Sequence, residues 1–82
     1  MSARPIYEHT PGAPFQPGDL VSVVKVADHT VDPVYVGKRG RVRYLEYSCG
    51  CGQRFPDDPM IGVELDGRVE EFWRDELAMV PS

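Results

Sequence analysis

Basic residues are scarce in this chain. Its 9 lysines and arginines face 13 aspartates and glutamates, which gives a formal charge of −4 over 82 residues. Proteins that grip nucleic acid through its phosphates carry a basic excess, so a general nucleic-acid binder is not expected. Two cysteines are too few for a disulfide-stapled scaffold. No apolar run approaches the ~20 residues that cross a bilayer. The N-terminal MSARPIYEHT lacks the apolar core of a secretory signal, so a soluble cytoplasmic protein without membrane contact is expected. No segment carries the apolar stripe of a substantial helix. No Ser-His-Asp set, phosphate loop or Gly-x-Gly-x-x-Gly occurs, and there is no internal repeat.

What the chain does have is short β-branched runs between glycine- and proline-bearing loops. Met1 to Gln16 holds Pro5, Pro11, Gly12 and Pro14 without apolar periodicity, which reads as a flexible or extended arm over residues 1–16. A barrel domain is expected over 17–82. Pro17-Gly18-Asp19 turns into a strand over Leu20–Val26, with Val21 and Val23 on the core face. The stretch HTVDPVYVGKRGRV, His29 to Val42, follows as a long loop with a basic turn bracketed by Gly37 and Gly40. A second strand is expected over Arg41–Tyr47. Neither of its faces is cleanly apolar, so it should bend midway. After a second long loop, Ser48 to Pro59, come strands over Met60–Leu65 and Arg68–Trp73. Asp66-Gly67 between them is a hairpin signal. Arg74–Leu77 suits one 3₁₀ turn, and Ala78–Val80 a last short strand. About five short strands, two long early loops and a 3₁₀ turn before the last strand describe an all-β protein, a small SH3-like barrel.

Gly18-Asp19 with Val21 and Val23, then His29-Thr30, Pro33, Tyr35, Gly37, Gly40 and Val42, resemble the C-terminal barrel domain of the nitrile hydratase β subunit. The resemblance continues through Phe55-Pro56-Asp57, Met60–Leu65 and Trp73, and so covers roughly residues 15 to 80. Arg74-Asp75-Glu76-Leu77 also looks like the related barrel of the ferredoxin–thioredoxin reductase variable chain. The resemblance implies the barrel fold and a habit of docking onto a metalloenzyme subunit. Nitrile hydration is not implied. The family's helical N-terminal region has no counterpart here, and its metal sits in the α subunit on a Cys-x-x-Cys-Ser-Cys motif that this sequence does not contain. The implied role is that of a non-catalytic accessory whose partner is a larger enzyme subunit, not an enzyme on its own.

Three constellations bear chemistry. Cys49-Gly50-Cys51 places two thiols one residue apart, candidate ligands for a transition metal or a redox pair. A closed structural zinc site needs four ligands, and His9, His29, Asp57 and Asp58 are the available supplements. The ordinary alternative is a pair of small loop side chains. No other cofactor is suggested. Lys38, Arg39, Arg41 and Arg43 form a basic strand, which supports an alternative reading as an RNA-binding barrel with Tyr35, Tyr44 and Tyr47 as stacking rings. The competing reading is a charged edge that discourages strand pairing. Glu64, Asp66, Glu70, Glu71, Asp75 and Glu76 read as a solvated face. His29, Tyr35, Lys38, Arg39, Arg41, Phe55 and Trp73 are the candidate partner-docking residues, carried on the Ala27–Gly40 and Ser48–Pro59 loops and beside them. Under the resemblance, His29 and Tyr35 are loop-fixing residues rather than catalytic ones.

Overall fold

Strand β3, Arg39–Tyr47, is the spine of the molecule, and every other part of the sheet is arranged along it. The structure is a computed structural model that describes residues 4–27, 31–47 and 55–81. Six strands run in the order β1 (Arg4–Ile6), β2 (Leu20–Val23), β3, β4 (Met60–Leu65), β5 (Arg68–Phe72) and β6 (Leu77–Met79). Two 3₁₀ turns, Pro33–Tyr35 and Arg74–Glu76, interrupt them. The sheet order is β5-β4-β3-β2-β6, with β1 pairing β3 off that path. All the pairings are antiparallel. This meander, with its last strand returning beside β2, is the expected all-β small barrel.

The N-terminal residues supply the sixth strand. Ile6 pairs with Leu45 and Arg4 with Tyr47, while Leu20 pairs with Arg41. β1 and β2 therefore occupy successive stretches of one edge of β3. Phe15 is buried in the core. The Gln16 side chain clamps Thr10, accepting from its N–H at 2.7 Å and donating to its carbonyl at 2.7 Å. These bonds provide for the buried polar residue of the segment, as burial demands.

The expected midway bend in β3 is a β-bulge. Val42 pairs with Val63 and Tyr44 with Gly62, which leaves Arg43 as the extra residue. The bulge lets Val42 and Leu45 both face inward although they are three apart, where strict alternation would separate them. They join Val21, Val23, Ile61, Val63, Leu65 and Phe72 in the core. Opposite Gly62 the Tyr44 ring lies flat across the sheet and fills the space that a Cβ would take.

Several boundaries shift. Gly40 was expected to close the basic turn, but it lies inside β3. A Cβ there would collide with the Glu64 carbonyl oxygen, Val63 and Leu65, so close backbone approach selects the glycine. Gly37, with φ of 91°, is the turn residue. β2 ends at Val23, not at the expected Val26, because the chain then leaves β3 for the long loop. The hairpin at Asp66-Gly67 forms with both residues left-handed, at φ 51° and 82°.

Candidate functional site

The long first loop is closed at its base by backbone bonds from Val23 N–H to the Lys38 carbonyl, 2.9 Å, and from Gly37 N–H to the Val23 carbonyl, 2.8 Å. Inside it, the Asp32 carboxylate accepts from Val34 N–H at 2.9 Å and starts the 3₁₀ turn that Pro33 favours. That turn sends Tyr35 inward, and Val31 joins it in the core. Tyr35 therefore belongs to the core and drops out of any docking patch. Val34, 62% exposed, and Val36 point outward from the same turn.

The described end of the second loop has the same construction. Phe55 is 66% exposed and packs edge-on against Tyr47, with ring centroids 4.8 Å apart. The Tyr47 hydroxyl donates to the Pro56 carbonyl at 2.8 Å. Burial, and then the Asp57 charge, raise the Tyr47 phenol above its ordinary pKa. Pro56, joined to Phe55 by a cis peptide bond, lies against Gly12 of the N-terminal segment. Arg74 pairs with Asp58 at 3.5 Å and donates to the Asp57 carbonyl, tying the loop to the closing 3₁₀ turn.

Glu76 overturns part of the sequence reading. It was grouped with a solvated acidic face, yet it is only 2% exposed. Its carboxylate accepts from Ala27 N–H at 2.7 Å and from Trp73 N–H at 2.8 Å. Its carbonyl accepts from Val24 N–H at 2.8 Å. One side chain thus ties the start of the long loop to the last turn of the barrel. The sequence signal was the spacing Trp73-x-x-Glu76, the reach-back pattern of a capping glutamate. Trp73 itself is half-buried, with Phe72 as the inward ring.

The basic strand is largely neutralised. Lys38 pairs with Asp66 at 2.6 Å, a contact that raises the lysine pKa through the hydrogen bond and the charge of that carboxylate. Arg43 meets Glu64 at 3.4 Å. Arg41 donates to the Gly18 carbonyl at 3.0 Å. Arg39 is exposed and has no acceptor among the described residues. The opposite charge gathers around Tyr44. Its hydroxyl donates to Glu71 at 2.8 Å, and Tyr7 meets its ring edge-on at 5.9 Å. Burial, followed by Glu71, pushes the Tyr44 phenol well above the usual tyrosine range. Burial and the Glu71 charge also raise the Glu46 carboxyl.

Of the candidate docking residues, Arg39 and Phe55 lie towards opposite ends of β3. Arg39 stands at the first residue of β3, and Tyr47, which carries Phe55, at the last. A strand of that length separates its ends by up to about 26 Å. His29, Cys49 and Cys51 lie outside the described residues. Among the described residues, no group of three or more His, Cys, Asp or Glu side chains is placed to hold a metal ion, and no helix is long and apolar enough to cross a membrane. No family model matches the chain, and no curated protein or solved structure matches it.

Proposed function

We propose that this chain is a non-catalytic interaction module that docks onto a larger enzyme subunit in the cytoplasm, as its resemblance to the nitrile hydratase β barrel implies. The observation that supports this reading is the outward display of Val34, Val36 and Phe55 on two loops that are each held by inward anchors. Val31 and Tyr35 hold the described part of the first loop, and Tyr47 holds the described end of the second. Exposed apolar side chains on a pre-ordered surface lose little conformational freedom on binding, which favours association. Single apolar residues scattered on a monomer are ordinary. Here they are mounted on structure that holds them out.

The test is co-expression with a metalloenzyme α subunit of the nitrile hydratase type. A stable complex is expected, and Phe55→Asp and Val34→Asp should abolish it. Val34→Asp should leave the urea midpoint of the isolated protein unchanged, since that side chain is exposed, while Phe55→Asp should lose only the edge-on contact with Tyr47, about 1 kcal/mol. A complex indifferent to both substitutions, or no complex at all, refutes the reading. The RNA-binding alternative has less to work with, because Lys38, Arg41 and Arg43 already have oxygen acceptors within the protein.

A further inference from the structure

We propose that the outer face of β2 and β6 is a groove for an extended, apolar segment of a partner protein that carries a carboxylate opposite Arg39. The inference rests on the docking reading above and adds to it a further surface, with the chemistry of the segment that surface takes. An open groove of about 450 Å³ runs over this face, bordered by Val24, Val36, Met79 and Val80, with Ser22 within it. Val24 and Val36 are each about half exposed, although the chain could have placed polar residues there at no cost to the core. Met79, opposite the buried Val21 and so on the core side of β6, borders the groove from its rim. Arg39, directly across from Ser22 in the β2–β3 register, is the one charged residue among the described residues that line the groove. It meets no acceptor among the described residues, unlike Arg41 and Arg43 of its strand and the preceding Lys38.

The backbone adds a second argument. β6 is an end strand of the sheet. Val80 N–H donates to the Leu20 carbonyl and Val24 N–H to the Glu76 carbonyl. With Ser22 opposite Ala78, this alternation turns the Met79 N–H and carbonyl away from β2, towards the edge of the sheet. An extended segment laid along β6 can use those groups while its side chains enter the groove, the mode of recognition in which a peptide adds a strand. Apolar walls select apolar side chains. The unpaired guanidinium selects a carboxylate and disfavours a cation, on a protein whose net charge of −4 otherwise repels acidic partners. Charge complementarity thus points to an acid-bearing apolar strand rather than a basic one.

The experiment is selection from a phage-displayed library of random linear peptides against the full chain, followed by affinity measurement on synthetic copies of the enriched sequences. Enriched peptides are expected to combine apolar residues with Asp or Glu. Arg39→Glu should weaken them about tenfold, and replacing the peptide carboxylate with lysine should restore binding to that variant. Val36→Asp should abolish binding, and Arg68→Glu, on the far edge strand, should not affect it. Amide shifts on binding should fall on residues 22–24, 36–39 and 78–80. Three results would each overturn the proposal. The first is enriched peptides that ignore Arg39→Glu and Val36→Asp and shift Phe55 and Tyr47 instead, in which case the docking reading stands and this surface fails. The second is that no peptide is enriched. The third is a dimer in sedimentation velocity that Met79→Asp dissolves, which would make a second copy of this chain the occupant.

Discussion

Replacing Glu76 tests whether the long loop is held by the barrel or merely leans on it. The carboxylate is buried and accepts two backbone N–H groups, from Ala27 at 2.7 Å and Trp73 at 2.8 Å. Hydrogen bonds to a charged acceptor contribute about 1.5–3 kcal/mol each, and an orphaned buried donor adds its own desolvation cost. Glu76→Ala leaves two such donors and a void, so a loss of about 3–5 kcal/mol is expected. Glu76→Gln keeps the volume but turns one acceptor into a donor facing an N–H, for a loss of about 2 kcal/mol. A domain of this size has a total stability of about 4–12 kcal/mol, so the alanine variant should lie close to the unfolding threshold.

Urea unfolding at a common slope measures these losses. The neighbouring Asp75→Asn is the control, because Asp75 is exposed on the same turn, and it should stay within about 0.5 kcal/mol of the parent. Hydrogen exchange adds a local readout, since the Ala27 and Trp73 amides should lose protection in the glutamine variant while core amides of β4 keep theirs. The reasoning fails if Glu76→Gln behaves like Asp75→Asn, or if the two amides exchange no faster. Either result would mean that the carboxylate is not what fixes the root of the loop.

Gly40→Ala should cost about 1–3 kcal/mol or more in urea unfolding, because its Cβ meets the Glu64 carbonyl as well as movable side chains; a neutral result would show that β3 and β4 can separate freely. Asp66→Asn should lose no more than about 1 kcal/mol, the worth of its exposed ion pair with Lys38, whereas Asp66→Val should lose about 1–2 kcal/mol beyond that by forcing a β-branched residue into left-handed backbone; equal stabilities would count against the turn. Tyr44 has a folded-state pKa raised first by burial and then by Glu71. Its contribution is therefore fully present below the unfolded-state pKa of about 10 and is lost as pH rises beyond it. Tyr44→Phe should flatten that alkaline limb in urea midpoints collected on either side of pH 10, and an unchanged limb would contradict the assignment.

Legibility followed the locality of each signal. The Asp66-Gly67 hairpin, the inward Val21 and Val23, and the 3₁₀ turn at Arg74–Glu76 all depend on chemistry within a few residues, and each was readable. The failures depend on contacts distant in sequence. Gly40 reads as a turn glycine until the Glu64 carbonyl is seen against it. Glu76 reads as one more surface acid until Ala27, 49 residues away in the chain, is found on its carboxylate. Tyr35 was legible as a loop-fixing residue as well as a docking candidate, and the local turn begun by Asp32, which directs it inward, favours the first. The pairing of the N-terminal segment with β3 left no trace in a stretch as proline-rich as residues 1–16, because the edge of β3 beyond β2 supplies its partners.

The bulge at Arg43 connects fold and surface. Before it, β3 pairs with β2 and presents Arg39 outward beside the apolar groove. After it, β3 pairs with β1 and presents Tyr44 and Glu46 outward, close to Glu71 and Tyr7. One strand therefore carries a cationic, apolar face at its start and an anionic, aromatic face at its end, with the core beneath both. Without the extra residue, strict alternation from Val42 would put Tyr44 inward and Leu45 outward, mixing apolar and acidic groups on each side. A binding surface of one character needs neighbours of one character. Here that uniformity comes from a single unpaired residue in the ladder, not from the composition of the chain as a whole.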